Sequence, residues 1–528
     1  MVVVRSVLGT ALVAAFATAA LAGSSDDDPS SYVVPDFMAQ LPPLPPNADV
    51  GNVWKLDLTD AIRVAIHQNT GVVIERENVK ITRQGVEVAK GEFEPVVTAG
   101  GDTTTSNTPA TNTTVGGDMI ATIISTREQD WALQIADRLE TGAQASIGFT
   151  NSRIGTDAAN TSASLYYNSA LVASITQPIL RGFSTDLVVP RADILRAKIT
   201  SQRERAQLAV VAQNIIQQTE NAYWNLVLAL YSYDLQVHSQ QRADEQLALT
   251  HRQIDAGLLP PSDLITAETT LAQRKLQVVQ AEQQLSLSSD QLRSVMNIPR
   301  DQWSRPILPT DLPSFAANPA SAEGALDIAL KHRPELVQLA LDLQTALVNL
   351  RQAENNQLPQ VNLGLNGTLY GAQTTYGSDL RLIDHGQATG YALTLNLTWT
   401  PLNRTADANA EISRSNQRVA VANRNQALQD TWFLVRDAVR NQASTERQVL
   451  AAAKFRSLAT ENLAVEQRKF TSGTSSNFFI AQRQEDLANA QLAELQAVLA
   501  HKQATVALLR AEGTLLEERH VDLGDVVH

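Results

Sequence analysis

Eight histidines are spread along the 528 residues, and no two of them stand four apart. A zinc centre on a helix needs such a pair, or thiolates in its place, and the chain has no cysteine. His238 and His251 share one helical stretch but lie thirteen residues apart, as solvated helix positions do. Carboxylates number 55, yet no two are set apart at a spacing that marks an acid and base couple. No glycine-rich run is present to cradle a phosphate. Gly257 and Gly473 stand between helical stretches, where a positive φ is the ordinary reason for glycine. Asp26, Asp27 and Asp28 sit in a Pro- and Ser-rich leader and read as solvated linker. A formal charge of −13 leaves no basic stripe to neutralise phosphates, which argues against a nucleic-acid partner. No catalytic, cofactor-binding or metal site is expected, so function must be sought in the elements themselves.

The first residues read as an export signal. Arg5 is followed by a small, apolar run from Val7 to Ala20, and Ala20-Leu21-Ala22 forms a cleavage site before Gly23. No other stretch has the roughly 18 apolar residues of a membrane helix. The expected chain is therefore periplasmic, secreted or a β-barrel, since a closed barrel is the remaining way to cross lipid.

A repeat organises the rest. Ala61-Ile62-Arg63-Val64-Ala65-Ile66 returns 264 residues later as Ala325-Leu326-Asp327-Ile328-Ala329-Leu330. At the same offset Val79 meets Leu343, Pro95 meets Pro359 and Gly100 meets Gly364. Two amphipathic helices can share a period by chance, but they rarely also share the Pro and Gly that end them. Arg252 with Ala256-Gly257 parallels Arg468 with Ser472-Gly473. The division is a signal peptide 1–22, a leader 23–55, a first repeat 56–300, a linker 301–320, a second repeat 321–515 and a tail 516–528.

Each half predicts the same series. A helix comes first, Leu58–Gly91 or Ala322–Asn355, with Thr59 and Ser321 as N-caps and Pro95 and Pro359 as stops. Strands follow at Val96–Asn107, Gln129–Asp137, Ala143–Ser152 and Ser162–Thr176 in the first half, and at Gln360–Tyr370 and Ala388–Thr400 in the second. A long helix comes next, Pro190–Asp255 or Ala406–Phe470, then a Gly turn and a last helix, Ser262–Met296 or Asn477–Glu512. Some 65 residues of helix reach roughly 100 Å. Their thin seam, Leu208, Val211, Ile215, Ala222, Leu226, Tyr233 and Val237, suits antiparallel coiled-coil hairpins rather than a thick core. The strands alternate polar and apolar residues, and Trp131, Tyr166, Tyr370, Tyr391 and Trp399 stand among or beside them, as in an outer-membrane barrel. So few strands cannot close a membrane barrel in one subunit, and a ring of identical subunits is the simple solution.

In this order, twice over, the chain resembles the outer membrane efflux (TolC) family. The stretches that carry the likeness are Leu58-Thr59-Asp60-Ala61-Ile62, Gln177-Pro178-Ile179-Leu180-Arg181-Gly182-Phe183, Ala222-Tyr223-Trp224-Asn225, Ala256-Gly257-Leu258 with Asp263-Leu264, and Gly473-Thr474-Ser475-Ser476-Asn477-Phe478. The resemblance implies an α+β membrane protein: a homotrimer with a shared β-barrel in outer-membrane lipid, four strands from each subunit, continued by a periplasmic α-helical barrel. It implies a passive conduit for efflux or type I secretion, docked to a periplasmic adaptor and an inner-membrane pump. The docking turns would be Ala256, Gly257, Leu258, Ser472, Gly473 and Thr474, and Asp263, Phe479 and Gln482 would be the positions of a lumenal gate. Two features depart from the family. The first half carries an extra hairpin, Gln129–Asp137 and Ala143–Ser152 around the turn 138–142, either widening the barrel or lying outside it. Phe479 and Gln482 stand where TolC has aspartates, so an acidic ring there is not expected. A lipid-bearing Cys, which many relatives carry, is absent. The competing readings are a periplasmic coiled-coil adaptor or scaffold, which would have one hairpin and an anchor, and a secreted enzyme, for which no polar cluster speaks.

Overall fold

The computed structural model describes residues 32–45, 52–115, 118–158, 164–257, 259–317, 320–472 and 474–524. The expected signal peptide and its cleavage site lie outside them, as do Leu258 and Gly473.

Each repeat opens with two helices where the sequence predicts one. In the first repeat β1 (Trp54–Leu56) leads into α1 (Leu58–Gln68) and α2 (Thr70–Gly91). The cap of α1 is Asp57, which accepts from the Asp60 amide at 2.6 Å, and not the expected Thr59, which lies inside the helix. Asn69 breaks the run. Its backbone is extended, its Oδ1 accepts from the Gly71 amide and its Nδ2 donates to the Val295 carbonyl, both at 2.8 Å. One side chain thus caps α2 and fixes the bend. In the second repeat, after β6 (Ile307–Pro309), the break between α5 (Ala322–His332) and α6 (Pro334–Asn355) falls at Arg333. A residue before proline is pushed out of the helical region, and Pro334 takes the first helical position, where its missing N–H is harmless. Ser321 caps α5 as expected, accepting from the Gly324 amide at 3.1 Å.

The strands form one six-stranded antiparallel sheet: β2 (Val96–Val115), β3 (Asp118–Arg138), β4 (Gln144–Thr156), β5 (Leu165–Pro178), β7 (Gln360–Gln373) and β8 (Thr389–Thr398), in that order. The extra hairpin, expected at Gln129–Asp137 and Ala143–Ser152, is β3–β4 and is part of this sheet, between β2 and β5. The neighbouring pair β2–β3 is longer than the sequence predicts, because β2 and β3 stay paired up to Val115 and Asp118 while β4 stops opposite Thr126. The sheet has two edge strands, β2 and β8. Between β7 and β8 lies a helix the pattern missed, α7 (Tyr376–Asp384).

All the long helices leave from one end of the sheet. α3 (Ala192–Asp255) has 64 residues and α8 (Arg404–Thr471) has 68, each about 100 Å long. They fold back on α4 (Ser262–Met296) and α9 (Asn477–Glu512), which occupy the ranges predicted, and the chain closes with α10 (Leu515–Glu518). The core sits at mid-height. There Tyr223, Trp224, Leu226 and Leu230 of α3 bury against α1, the parallel pair β1–β6 and an N-terminal segment that brings in Met38. The Tyr223 hydroxyl accepts from the Thr310 and Asp311 amides and bonds the Asp311 carboxylate, so the belt is tied to α3 by polar contacts as well as packing. Burial, then the hydrogen bond to Asp311, pushes the Tyr223 phenol well above its ordinary pKa.

Candidate channel wall and hairpin gate

Residues that face each other across an antiparallel ladder share one face of the sheet. The registers sort the six strands into two faces of opposite character. One carries Val97 and Ala99, Leu133 and Ile135, Ile147 and Phe149, Leu171 and Ile175, Leu363 and Leu365, then Tyr391, Leu393, Leu395 and Leu397. Its apolar groups lie open, with Leu393 74% and Tyr391 90% exposed. The other carries Thr98, Asp102, Glu128, Asp130, Gln134, Ser146, Thr150, Ser174, Thr176, Asn362, Asn366, Thr394 and Asn396. Ser146 and Ser174 share a hydrogen bond there at 2.8 Å, and Ser152 donates to Glu128 at 2.9 Å.

On β7 the apolar row runs from Val361 to Leu369. Eight residue steps give about 27 Å along the strand. Tilted by roughly 40°, that is about 21 Å of height, near the roughly 25 Å apolar band of outer-membrane barrels. Tyr391 and Trp399 bracket the row on β8 and its exit, as interfacial aromatics do. Towards the far end of the sheet the apolar face turns polar, with Gln129 and Arg153 joined by a hydrogen bond. Here α7 packs on it. Asp379, fully buried, bonds the Ser169 hydroxyl, which also accepts from Asn151 at 2.7 Å, and Tyr376 meets Tyr167 at 5.7 Å. A Cβ on Gly371 would stand 2.6 Å from the Asp379 carbonyl oxygen, so this contact requires glycine. Nothing in the sequence marks Asp379, since the Ser and Asn it meets lie more than 200 residues away.

At the opposite end of the molecule the two hairpins meet. Gly257 ends α3 with φ +73°, its amide bonded to the Ile254 carbonyl at 2.8 Å. After α8, Ser472 donates from its amide to the Arg468 carbonyl, and the Thr474 amide and hydroxyl both reach Lys469 O, at 2.9 and 3.0 Å. The Ser475 hydroxyl bonds Glu466, and this bond, then the Lys469 charge, holds the Glu466 carboxyl below its usual range. Of the expected turn residues, Ala256, Gly257, Ser472 and Thr474 thus lie at the far hairpin ends.

Between the hairpins lies a cavity of about 560 Å3. Asp263 lines it, together with Arg242, Gln246, Arg274, Phe478 and Glu485. Arg274 of α4 pairs with Glu485 of α9 at 3.3 Å, an ion pair from one hairpin to the other. Burial, then the neighbouring Arg274 charge, pulls the Arg242 guanidinium below its ordinary pKa. Of the three expected gate positions only Asp263 reaches this cavity. Phe479 and Gln482 do not line it, whereas Phe478 does, and all three side chains are exposed in the single subunit. The two rings stand edge to face at 5.6 Å. Neighbouring helix positions point about 100° apart, so which of the pair faces the other hairpin depends on how the hairpins are rotated. That is a tertiary fact with no local signal. Among the described residues no group of three or more His, Cys, Asp or Glu could hold a metal, and no helix is long and apolar enough to cross a membrane.

Solved structures that share this architecture include outer-membrane channels. Residues 325–514 match the family described as outer membrane efflux protein. No curated protein matches the chain by sequence. Solved structures match closely in shape. The outer-membrane channel OprN aligns with a TM-score of 0.63 at 15% identity, covering 91% of this chain and 96% of that one. The Campylobacter jejuni CmeC outer membrane channel aligns at 0.62 and 13%, covering 89% and 90%. The open state of the Neisseria gonorrhoeae MtrE outer membrane channel aligns at 0.59 and 16%, covering 90% and 94%. These are conduits and not enzymes. The chain thus has the fold of the outer-membrane channels over about nine-tenths of its length, and residues 325–514 of its second repeat match the model of the outer membrane efflux protein family.

Proposed function

We propose that this chain is one subunit of a homotrimeric outer-membrane channel, a passive conduit in an efflux or type I secretion system. The sheet spans the outer membrane and the long helices cross the periplasm. The far hairpin ends, around Ala256, Gly257, Leu258, Ser472, Gly473 and Thr474, dock a periplasmic adaptor and an inner-membrane pump that supplies the energy. The cavity lined by Asp263 and Phe478 belongs to the closing end of the tunnel. The observation that carries this reading is the division of one sheet into an open apolar face of membrane height and a polar face. A soluble adaptor or scaffold has no use for such a sheet. Mass measurement of the purified protein in detergent, with conductance in planar bilayers, tests it. Trimers that open ohmic pores are expected, and a monodisperse monomer that needs no detergent overturns it. The docking assignment has its own test. Gly257→Val, which strains a residue at φ +73°, should leave trimers intact and abolish export of cargo. Normal export would remove the hairpin ends from the docking surface.

A further inference from the structure

We infer that the barrel is closed by β8 of one subunit pairing with β2 of the next, so that all six strands of each subunit line the pore and three copies make a barrel of 18 strands. This rests on the trimeric reading above and departs from the four strands per subunit that the family resemblance implies.

Three observations carry it. The ladder is unbroken from β2 to β8, so the extra hairpin β3–β4 is hydrogen-bonded to β2 on one side and to β5 on the other and does not hang from the sheet. The apolar face continues across β3 and β4 and onto the start of β2, where Val97 and Ala99 precede Gly101, Thr103 and Thr105. Val97, Trp131, Leu133 and Ile135 extend the rows of Ile147, Phe149, Leu171 and Ile175, and they lie open, Val97 at 63%. A hairpin held outside the membrane would have no reason to present an apolar band at the same level as its neighbours. Finally, both edge strands lie within that band. Unpaired N–H and C=O groups are intolerable in hydrocarbon, so each edge must find a strand. A second copy of this chain supplies one of the right polarity. Successive strands of the sheet alternate in direction, so with six per subunit β8 meets the next β2 antiparallel, as the even strand number of bacterial barrels requires.

The consequence is a wide mouth. Barrel diameter grows roughly in proportion to strand number, so 18 strands instead of 12 widen the barrel about 1.5-fold and its cross-section about 2.3-fold. The long helices do not change in number, so the constriction stays at the hairpin end.

The absence of native cysteine makes the test clean. Leu395→Cys in β8 is combined in turn with Cys at Val97, Ala99, Gly101, Thr103 or Thr105 on the same face of β2, and separately with Cys at Ala145, Ile147 or Phe149 of β4. The expected result is a reducible, covalently linked ladder up to trimer from at least one β2 partner and none from β4. Cross-links to β4 would overturn the inference, since they would mean a 12-strand barrel with β2 and β3 outside it. So would the lack of any β2 product in protein that still runs as a trimer. A barrel that left out β3–β4 would also give the β2 product, and its strand count separates it from 18. A strand count in an electron-microscopy map of the unmodified trimer is the independent measure, where 18 supports the inference and 12 refutes it. If the unmodified protein is monomeric in detergent, the proposed channel function fails as well, and the two failures are distinguishable.

Discussion

Glu220 and Arg519 stand 299 residues apart and form a two-pronged ion pair, with Nε to Oε1 at 2.6 Å and a terminal nitrogen to Oε2 at 2.8 Å. The carboxylate is 1% exposed. Burial pushes the Glu220 carboxyl above its ordinary pKa, and the Arg519 guanidinium pulls it back only in part. Arg519→Ala leaves a buried carboxylate without its counter-charge, which costs about 3–5 kcal/mol. The pH dependence follows from the direction of the shift. A group whose folded pKa is raised adds stability below its unfolded pKa and loses it as pH rises through the folded value. Without Arg519 the folded value moves higher still. The loss of melting temperature relative to the native protein should therefore be large at pH 7.5 and smaller at pH 5. An equal loss at both would assign the effect to the packing of the arginine stem.

Gly513 ends α9 with φ +82°, and a Cβ there would lie 2.8 Å from the backbone of His332 and Arg333, at the break between α5 and α6. Gly513→Ala should lower the stability of the trimer by several kcal/mol, since conformational strain of about 1–3 kcal/mol adds to a steric clash with backbone that cannot move aside. Gly85, in the middle of α2, has nothing within 4 Å. Gly85→Ala should raise stability by about 0.5–1 kcal/mol. Thermal melts of the two variants check both signs.

Asp102 and Asp130 face each other across β2 and β3 on the polar side of the sheet, with Glu128 two residues along the same strand. Like charges directly opposite destabilise a ladder by some tenths of a kcal/mol. Acidic side chains on a pore wall favour cations. Asp130→Asn should therefore slightly raise the melting temperature and shift the reversal potential towards weaker cation selectivity in a salt gradient. An unchanged reversal potential would mean that ion selection lies elsewhere along the conduit.

The ion pair Arg274–Glu485 joins the two hairpins, and the Phe478 ring lines the cavity between them, at the end proposed to close. Arg274→Ala and Phe478→Ala should each raise single-channel conductance with little change in trimer stability, and Phe479→Ala should change it less than Phe478→Ala. Conductance traces of the three variants decide the assignment, and the reverse order of the two phenylalanines would return Phe479 to the lumen.

The long helices and their turns were legible because a sparse apolar seam, repeated over some sixty residues and ended by Gly257, has no other use. The membrane strands were legible because Leu393, Leu395 and Leu397 alternate with Thr394 and Asn396. The breaks were harder. Asn69 is an ordinary helix residue until its amide finds Val295, far along the chain. Arg333-Pro334 does carry a local sign, but proline also fits a helix start, and only the structure separates these uses. β1 and β6 are three residues each, too short for any period to emerge. At the hairpin end, composition located the turn but not the ring that lines the cavity, because Phe478 and Phe479 are chemically identical and differ only in their angle about one helix.

The pairing of β1 with β6 bears on how the molecule is made. Trp54 pairs with Ile307, and the Leu58 amide bonds Asp311, each across 253 residues. A chain that emerges from its N-terminus must deliver the whole first repeat before these partners exist. Until then the aromatic cluster around Tyr223 and Trp224 is open to water on one side. Contacts of such long sequence separation form slowly, and the waiting surface is sticky. The girdle at mid-height is thus a late step in assembly, and its exposed precursor is the species that periplasmic chaperones would have to shield.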